Sequence, residues 1–207
     1  MTMERFVRLT GVAAIIRRPN ISTDAIIPSV WAVRSDIDLG AKLFANERYD
    51  ANCNERSDFV LNRQPYRNAV VLIAGANFGC GSSRETAVWA LQRFGIRCII
   101  APSFGEIFKE NMFKNGMLPI ELAEETIGIL CSTMNESSLI SVDLEQQMVR
   151  AAEGCEVRFT IGDGRRKALL EGLDDFGEVS ACLAEITKFE IADRVSRQWA
   201  WAIDRTD

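Results

Sequence analysis

Chemistry is most concentrated in this 207-residue chain at three consecutive side chains, Ser82, Ser83 and Arg84, which follow Gly79-Cys80-Gly81 and precede Glu85. Two hydroxyls beside a planar guanidinium suit an oxyanion, because the fork of an arginine matches a carboxylate or a phosphate. Gly79 and Gly81 let the backbone approach whatever fills the crevice. Ser82 and Glu85 have the spacing of a capping box. This predicts a helix that starts at Ser82 and turns its free N–H groups and positive dipole end towards the anion. Taken alone, the same turn also fits a tight connection with an N-cap and nothing more. A nucleotide site is the weaker reading. The spacing is neither G-x-G-x-x-G nor a P-loop, and no acidic residue ends the next apolar run, Cys98-Ile99-Ile100-Ala101-Pro102.

The elements that must position these residues are legible on either side. Ala69-Val70-Val71-Leu72-Ile73-Ala74 is a short, continuously apolar run, the pattern of a strand buried on both faces. Ala87, Val88, Leu91 and Phe94 then fall on one helical stripe, Gly95 supplies a stop, and Cys98 to Ala101 reads as the next buried strand. The unit is β-turn-α-β, with the glycine-rich turn at the carboxyl end of its first strand.

The run from Asn77 to Glu85, followed by Ala101-Pro102-Ser103-Phe104 and Asn115-Gly116-Met117-Leu118-Pro119, resembles the swivelling domain of the aconitase superfamily, and in particular the 3-isopropylmalate dehydratase small-subunit family. Asn20-Ile21-Ser22-Thr23-Asp24-Ala25-Ile26-Ile27-Pro28 is a turn-rich, isoleucine-anchored segment. It resembles the N-x-D-T-D-x-I-I-P signature of that family, with Ser22 in place of Asp. The likeness continues through Val142-Asp143-Leu144-Glu145 and Gly172-Leu173-Asp174, so it covers most of the chain.

The resemblance implies a fold, a chemistry and a partner. The fold is α/β, a swivelling β/β/α domain with a mainly parallel central sheet, flanking helices and an additional antiparallel β layer, as one domain over residues 1–207. The chemistry moves water between neighbouring carbons of a malate-like diacid through a cis-alkene. Ser82, as its alkoxide, is the implied base, and Ser83, Arg84 and the more loosely aligned Arg34 hold the substrate carboxylates. Thr23, Asp24, Gly79, Cys80 and Gly81 support the site. Hydroxyl departure requires a Lewis acid, in this family an open iron of a four-iron, four-sulfur cluster. The implied carrier of that cluster is a separate large subunit, so this chain alone is expected to be inactive and to bind no cofactor itself. Thr86 stands where the family has His, and Val88 where it has Pro. These departures leave open a paralogue acting on citraconate or methylmalate, dimethylmalate or another alkyl-malate. A non-catalytic anion-binding or regulatory module is the alternative of another class.

Composition sets outer limits. The net charge of −5 is spread over interspersed acids and bases, which argues against a nucleic-acid partner. No apolar stretch is long enough to span a bilayer and no signal-peptide core opens the chain, so a cytoplasmic location is expected. Six cysteines are scattered without a C-x-x-C pair, which reads as reduced thiols rather than a cluster site. Histidine is absent, so proton chemistry must use carboxylates, Lys, Tyr, Cys or an activated hydroxyl.

Elsewhere the pattern predicts a hairpin or two strand pieces between Phe6 and Ile16. A loop-rich stretch from Asp36 to Asn68 should follow, a region that in the family helps enclose the substrate. Ser103 is expected to cap a helix carrying Phe104, Ile107, Phe108 and Met112. Met117 to Ile120 should form an edge segment, Glu124 to Met134 a helix, and residues 139–161 a β-meander. Val179 to Ala202 should be helical, with Trp199 and Trp201 near its end as core or subunit contacts.

Overall fold

The computed structural model describes residues 3–32, 37–81, 84–134, 139–151 and 154–201. In chain order, strand β1 (Arg8–Ile16) leads into three single-turn helices, α1 (Thr23–Ile26), α2 (Ser29–Ala32) and α3 (Ala45–Arg48). Next come β2 (Ala69–Ala74), α4 (Thr86–Phe94), β3 (Cys98–Ala101), α5 (Glu106–Lys114), β4 (Leu118–Glu121) and α6 (Glu124–Ser132). The chain continues with β5 (Leu139–Asp143), β6 (Met148–Arg150), β7 (Glu156–Arg158), α7 (Asp163–Glu171), α8 (Asp175–Ala181) and α9 (Leu183–Ser196).

The strands form one sheet in the order β4-β3-β2-β1-β5-β6-β7. β1 to β4 run parallel, and β5, β6 and β7 continue the sheet antiparallel from the far side of β1. The antiparallel layer is therefore hydrogen-bonded to the parallel one through β1. β4 is an edge, and its Pro119, paired opposite Ile99, sits where a missing N–H is tolerated.

The two-residue alternation of the central strands sends side chains into two apolar cores, one on each face. Leu72, Ala74, Ile99 and Ala101 join Ile21, Ile26, Phe44, Leu91 and Met112 on one face. Val71, Ile73, Cys98 and Ile100 join Phe113, Ile127, Leu130, Ile140 and Leu169 on the other. Burial pushes the Cys98 thiol pKa up, so this sulfur stays protonated inside the sheet.

β1 corrects the reading of Phe6 to Ile16 as a hairpin or two pieces. It is one nine-residue strand with a register shift between Val12 and Ala13. Gly11 is required for close approach instead of a turn. A Cβ there would lie 2.6 Å from Val70 Cγ2 on the neighbouring strand.

Candidate active site

Three connections meet at the carboxyl ends of β1, β2 and β3, where open α/β sheets place their ligands. Backbone hydrogen bonds tie each to the others. Gly79 N donates to Ile21 O (2.8 Å) and Thr23 N to Cys80 O (2.9 Å), joining the loop after β2 to the loop after β1. Phe78 N donates to Ser103 O (3.1 Å) and Gly105 N to Phe78 O (2.8 Å), joining it to the loop after β3. The Nδ2 of Asn77 donates to Asn20 Oδ1 at 2.8 Å, and both asparagines have left-handed backbones, which this residue tolerates.

Glycine is dictated by close contact at two of these positions. Gly79 has φ +74°, and a Cβ there would enter the Phe108 ring, 2.2 Å from Cγ. At Gly105 a Cβ would lie 2.6 Å from Gly79 O. The turn is thus pressed directly against the start of α5.

Helix α4 begins at Thr86, one turn later than a Ser82 cap predicts, with Glu85 in the N-cap position and no side-chain cap. The Glu85 carboxylate accepts from Asn115 Nδ2 through Oε1 at 2.7 Å. A second correction concerns Ser103. α5 starts after Gly105, and the Ser103 hydroxyl accepts from Asn77 N at 2.9 Å, so it ties two loops together where a helix cap was expected. Ile107, placed on the apolar face by its spacing, is exposed.

The site residues divide as follows. Thr23 is buried at the start of α1, Asp24 follows it, and Gly79, Cys80 and Gly81 form the turn against them, with Ser22 and Cys80 in a parallel bridge. Ser22, where the family pattern has Asp, caps α1 by accepting from Ala25 N at 3.2 Å. Arg84 lies beside this group and donates Nη1 to Asp24 Oδ1 at 2.5 Å. Spacing alone could not reveal that pair, since the partners are separated by sixty positions. Ser82, Ser83 and Arg34 lie outside the described residues.

Two clefts flank the turn. One, of about 340 Å³, is lined by Ser29, Ala32, Arg84, Glu85 and Thr86. The other, of about 200 Å³, lies between Gly79-Cys80-Gly81 and the start of α5, with Ile107 and Phe108 on its wall. Thr86 Oγ1 is buried and has no hydrogen-bond partner among the described residues. Val88, the other departure from the family pattern, is fully buried in the core, so that substitution concerns packing.

The stretch 37–68 is anchored by a few packed side chains, while residues 50–58 are exposed. Leu39, Leu43, Phe44 and Leu61 are buried in one core. Arg48 is buried against the Phe94 ring (5.2 Å), with Nε donating to Asn62 Oδ1 at 2.9 Å. Burial lowers the Arg48 pKa. Gly40 abuts the Arg93 backbone at the far end of α4 from the turn. Among the described residues, no three His, Cys, Asp or Glu side chains come together as a metal site.

An arginine paired with an aspartate thus lies beside a helix start and an open cleft at the carboxyl ends of the parallel strands. The aconitase C-terminal domain family matches residues 3–125. The 3-isopropylmalate dehydratase small subunit of Gluconobacter oxydans is 48% identical over 97% of each chain. That of Rhodospirillum centenum is 46% identical, covering 96% of this chain and 99% of its own. A crystal structure of 3-isopropylmalate dehydratase from Methanocaldococcus jannaschii shares the fold at a TM-score of 0.63 and 24% identity, covering 87% of this chain and 98% of that one. This chain belongs to the aconitase C-terminal domain family and, within it, to the small subunits of 3-isopropylmalate dehydratase.

Proposed function

We infer that this chain works as the small subunit of a hydro-lyase that interconverts 2-isopropylmalate and 3-isopropylmalate by dehydration and rehydration, a step of leucine biosynthesis. The observation that carries the reading is the Arg84–Asp24 pair, held at the carboxyl ends of the parallel strands by three cross-bonded loops. Its weight comes from the full-length likeness to dehydratase small subunits.

In this reading Arg84 receives a substrate carboxylate through its guanidinium edge not turned to Asp24, and Ser83 adds a hydroxyl donor. Asp24 keeps the guanidinium oriented, so little ordering remains when substrate arrives. Ser82 removes the C–H proton as an alkoxide. A serine hydroxyl is a poor base in water, so that role depends on donors and positive charge gathered beside it, which Arg84 and the start of α4 supply. The Lewis acidity for hydroxyl departure comes from a four-iron, four-sulfur cluster on a partner large subunit. A single swivelling domain over residues 1–207, acting in the cytoplasm, completes the proposal. Among the described residues no helix is long and apolar enough to cross a membrane.

The test is an anaerobic hydratase assay, following absorbance of the cis-alkene, with this chain, its large subunit and their mixture. Activity on isopropylmalate should require both. Ser82→Ala should lower turnover by at least about 10³-fold, as loss of a group acting in the transition state does, while leaving the fold unchanged. A preference for citraconate or dimethylmalate in the same panel would move the assignment to a paralogue. A mixture that forms a complex and turns over nothing would favour a non-catalytic module.

A further inference from the structure

The C-terminal arm, residues 175–201, is built unlike the rest of the molecule. None of its described side chains is buried. Phe176 and Trp199 are each 84% exposed, and Val179, Leu183, Phe189, Ile191 and Val195 are also open to solvent. Together these side chains present apolar surface on the order of 800 Å², which is about one partner's share of a standard protein interface. A lone soluble chain rarely shows so much in one stretch.

The arm nevertheless has ordered ends. Asp174 caps α8 by accepting from Gly177 N at 2.7 Å. Asp193 accepts from Arg197 Nε at 2.6 Å and from Trp201 Nε1 at 3.1 Å, and Arg194 stacks 4.5 Å from the Trp201 ring centre. Asp193 and Arg197 are thereby paired, and Arg194 is held against Trp201. Over residues 175–201 five acids, Asp175, Glu178, Glu185, Glu190 and Asp193, stand against three bases, Lys188, Arg194 and Arg197, a small net charge of −2 that does not select a partner.

The distribution of apolar residues does. At roughly 100° per residue, Leu183, Ile186 and Phe189 fall on one side of α9, and Ile191 and Val195 fall nearly opposite. A helix apolar on two sides needs two walls. Face-to-face pairing with a second copy covers one stripe and leaves the other wet.

We propose that the arm is the grip of this chain on the large subunit, seated in an apolar groove of that partner that covers both sides of α9. This rests on the reading of the chain as a dehydratase small subunit. The groove meets the arm through its apolar side chains, so the grip depends little on salt.

The test uses the full chain and its cognate large subunit, with affinity from titration in low and high salt and assembly size from light scattering. One variant carries Ile186→Glu and Phe189→Glu, a second Ile191→Glu and Val195→Glu. Glutamate keeps the helix, which circular dichroism checks. Each variant should bind at least 30-fold more weakly and turn over normally once saturated with partner, while the melting point of the isolated chain stays put. Unchanged affinity in both variants overturns the proposal and leaves the dehydratase reading standing. Loss confined to one variant also overturns it, because a single wall is then enough. A homodimer that both variants dissolve, with partner affinity intact, assigns the arm to a second copy. A native chain that binds no large subunit defeats this proposal and the functional reading together.

Discussion

The loops around the glycine turn and the C-terminal arm solve opposite problems. The loops carry almost no regular structure, yet backbone bonds from Gly79, Thr23, Phe78 and Gly105 run between them and press Gly79 against the Phe108 ring. The arm is largely helical, yet buries none of its described side chains. Regular secondary structure is therefore a poor guide to rigidity here. What fixes a segment is where its hydrogen bonds and apolar groups find partners.

That contrast can be broken most sharply at Gly79. Gly79→Ala places a Cβ in the Phe108 ring at a positive φ, and should cost about 4 kcal/mol, read as a loss of cooperative unfolding midpoint in urea. Next in size is Asn62→Ala. It strands Arg48 Nε and removes one of two hydrogen bonds from each of the carbonyls of Arg48 and Arg56, which keep the backbone N–H of Arg56 and Phe59, with an expected loss of about 2 kcal/mol in the same assay. Should either variant melt like the native chain, the loops are not the rigid part.

A smaller effect is expected at Asp143, buried beside β1. Burial opposes its charge, but the Gln146 N–H and the Arg8 guanidinium outweigh that and lower its pKa below the ordinary Asp value. Its contribution is therefore complete above about pH 4, the unfolded value, and is lost as pH falls through the lower folded value. Asp143→Asn should cost about 1.5 kcal/mol at neutral pH, and the gap to the native chain should close in acid. A gap that persists at pH 2 would assign the loss to shape. In the arm, Trp199→Ala should change the stability of the isolated chain by less than about 0.5 kcal/mol. A large loss there would mean that the arm packs on the body.

Much of this was legible in the sequence where the determinants are local. The apolar run at 69–74, the stripe through Ala87 and Leu91, the stop at Gly95 and the proline of the edge strand each name their element, because strand burial, helical period and backbone permissiveness act over a few residues. Gly11 misled because a glycine demanded by a neighbouring Val70 looks the same as a glycine demanded by a turn. Ser103 misled because a cap and a loop tie use the same hydroxyl. The Arg84–Asp24 and Arg48–Asn62 pairs were invisible, since nothing local marks partners that only folding brings together. The turn hydroxyls Ser82 and Ser83, the most chemically suggestive pair in the sequence, fall with Arg34 outside the described residues. Their roles rest on the family resemblance and on what surrounds them. The pattern of the arm predicts one helix from Val179, whereas the chain breaks at Cys182 and α9 ends at Ser196. Trp199 is exposed, since a tryptophan's preference for burial does not say in whose interior.

The positions of two thiols give these regions separate clocks. Cys98 is fully enclosed in the sheet, and Cys182, between α8 and α9, is exposed. An alkylating reagent with site-resolved mass readout should label Cys182 at the rate of a free thiol and Cys98 only as often as the whole sheet opens.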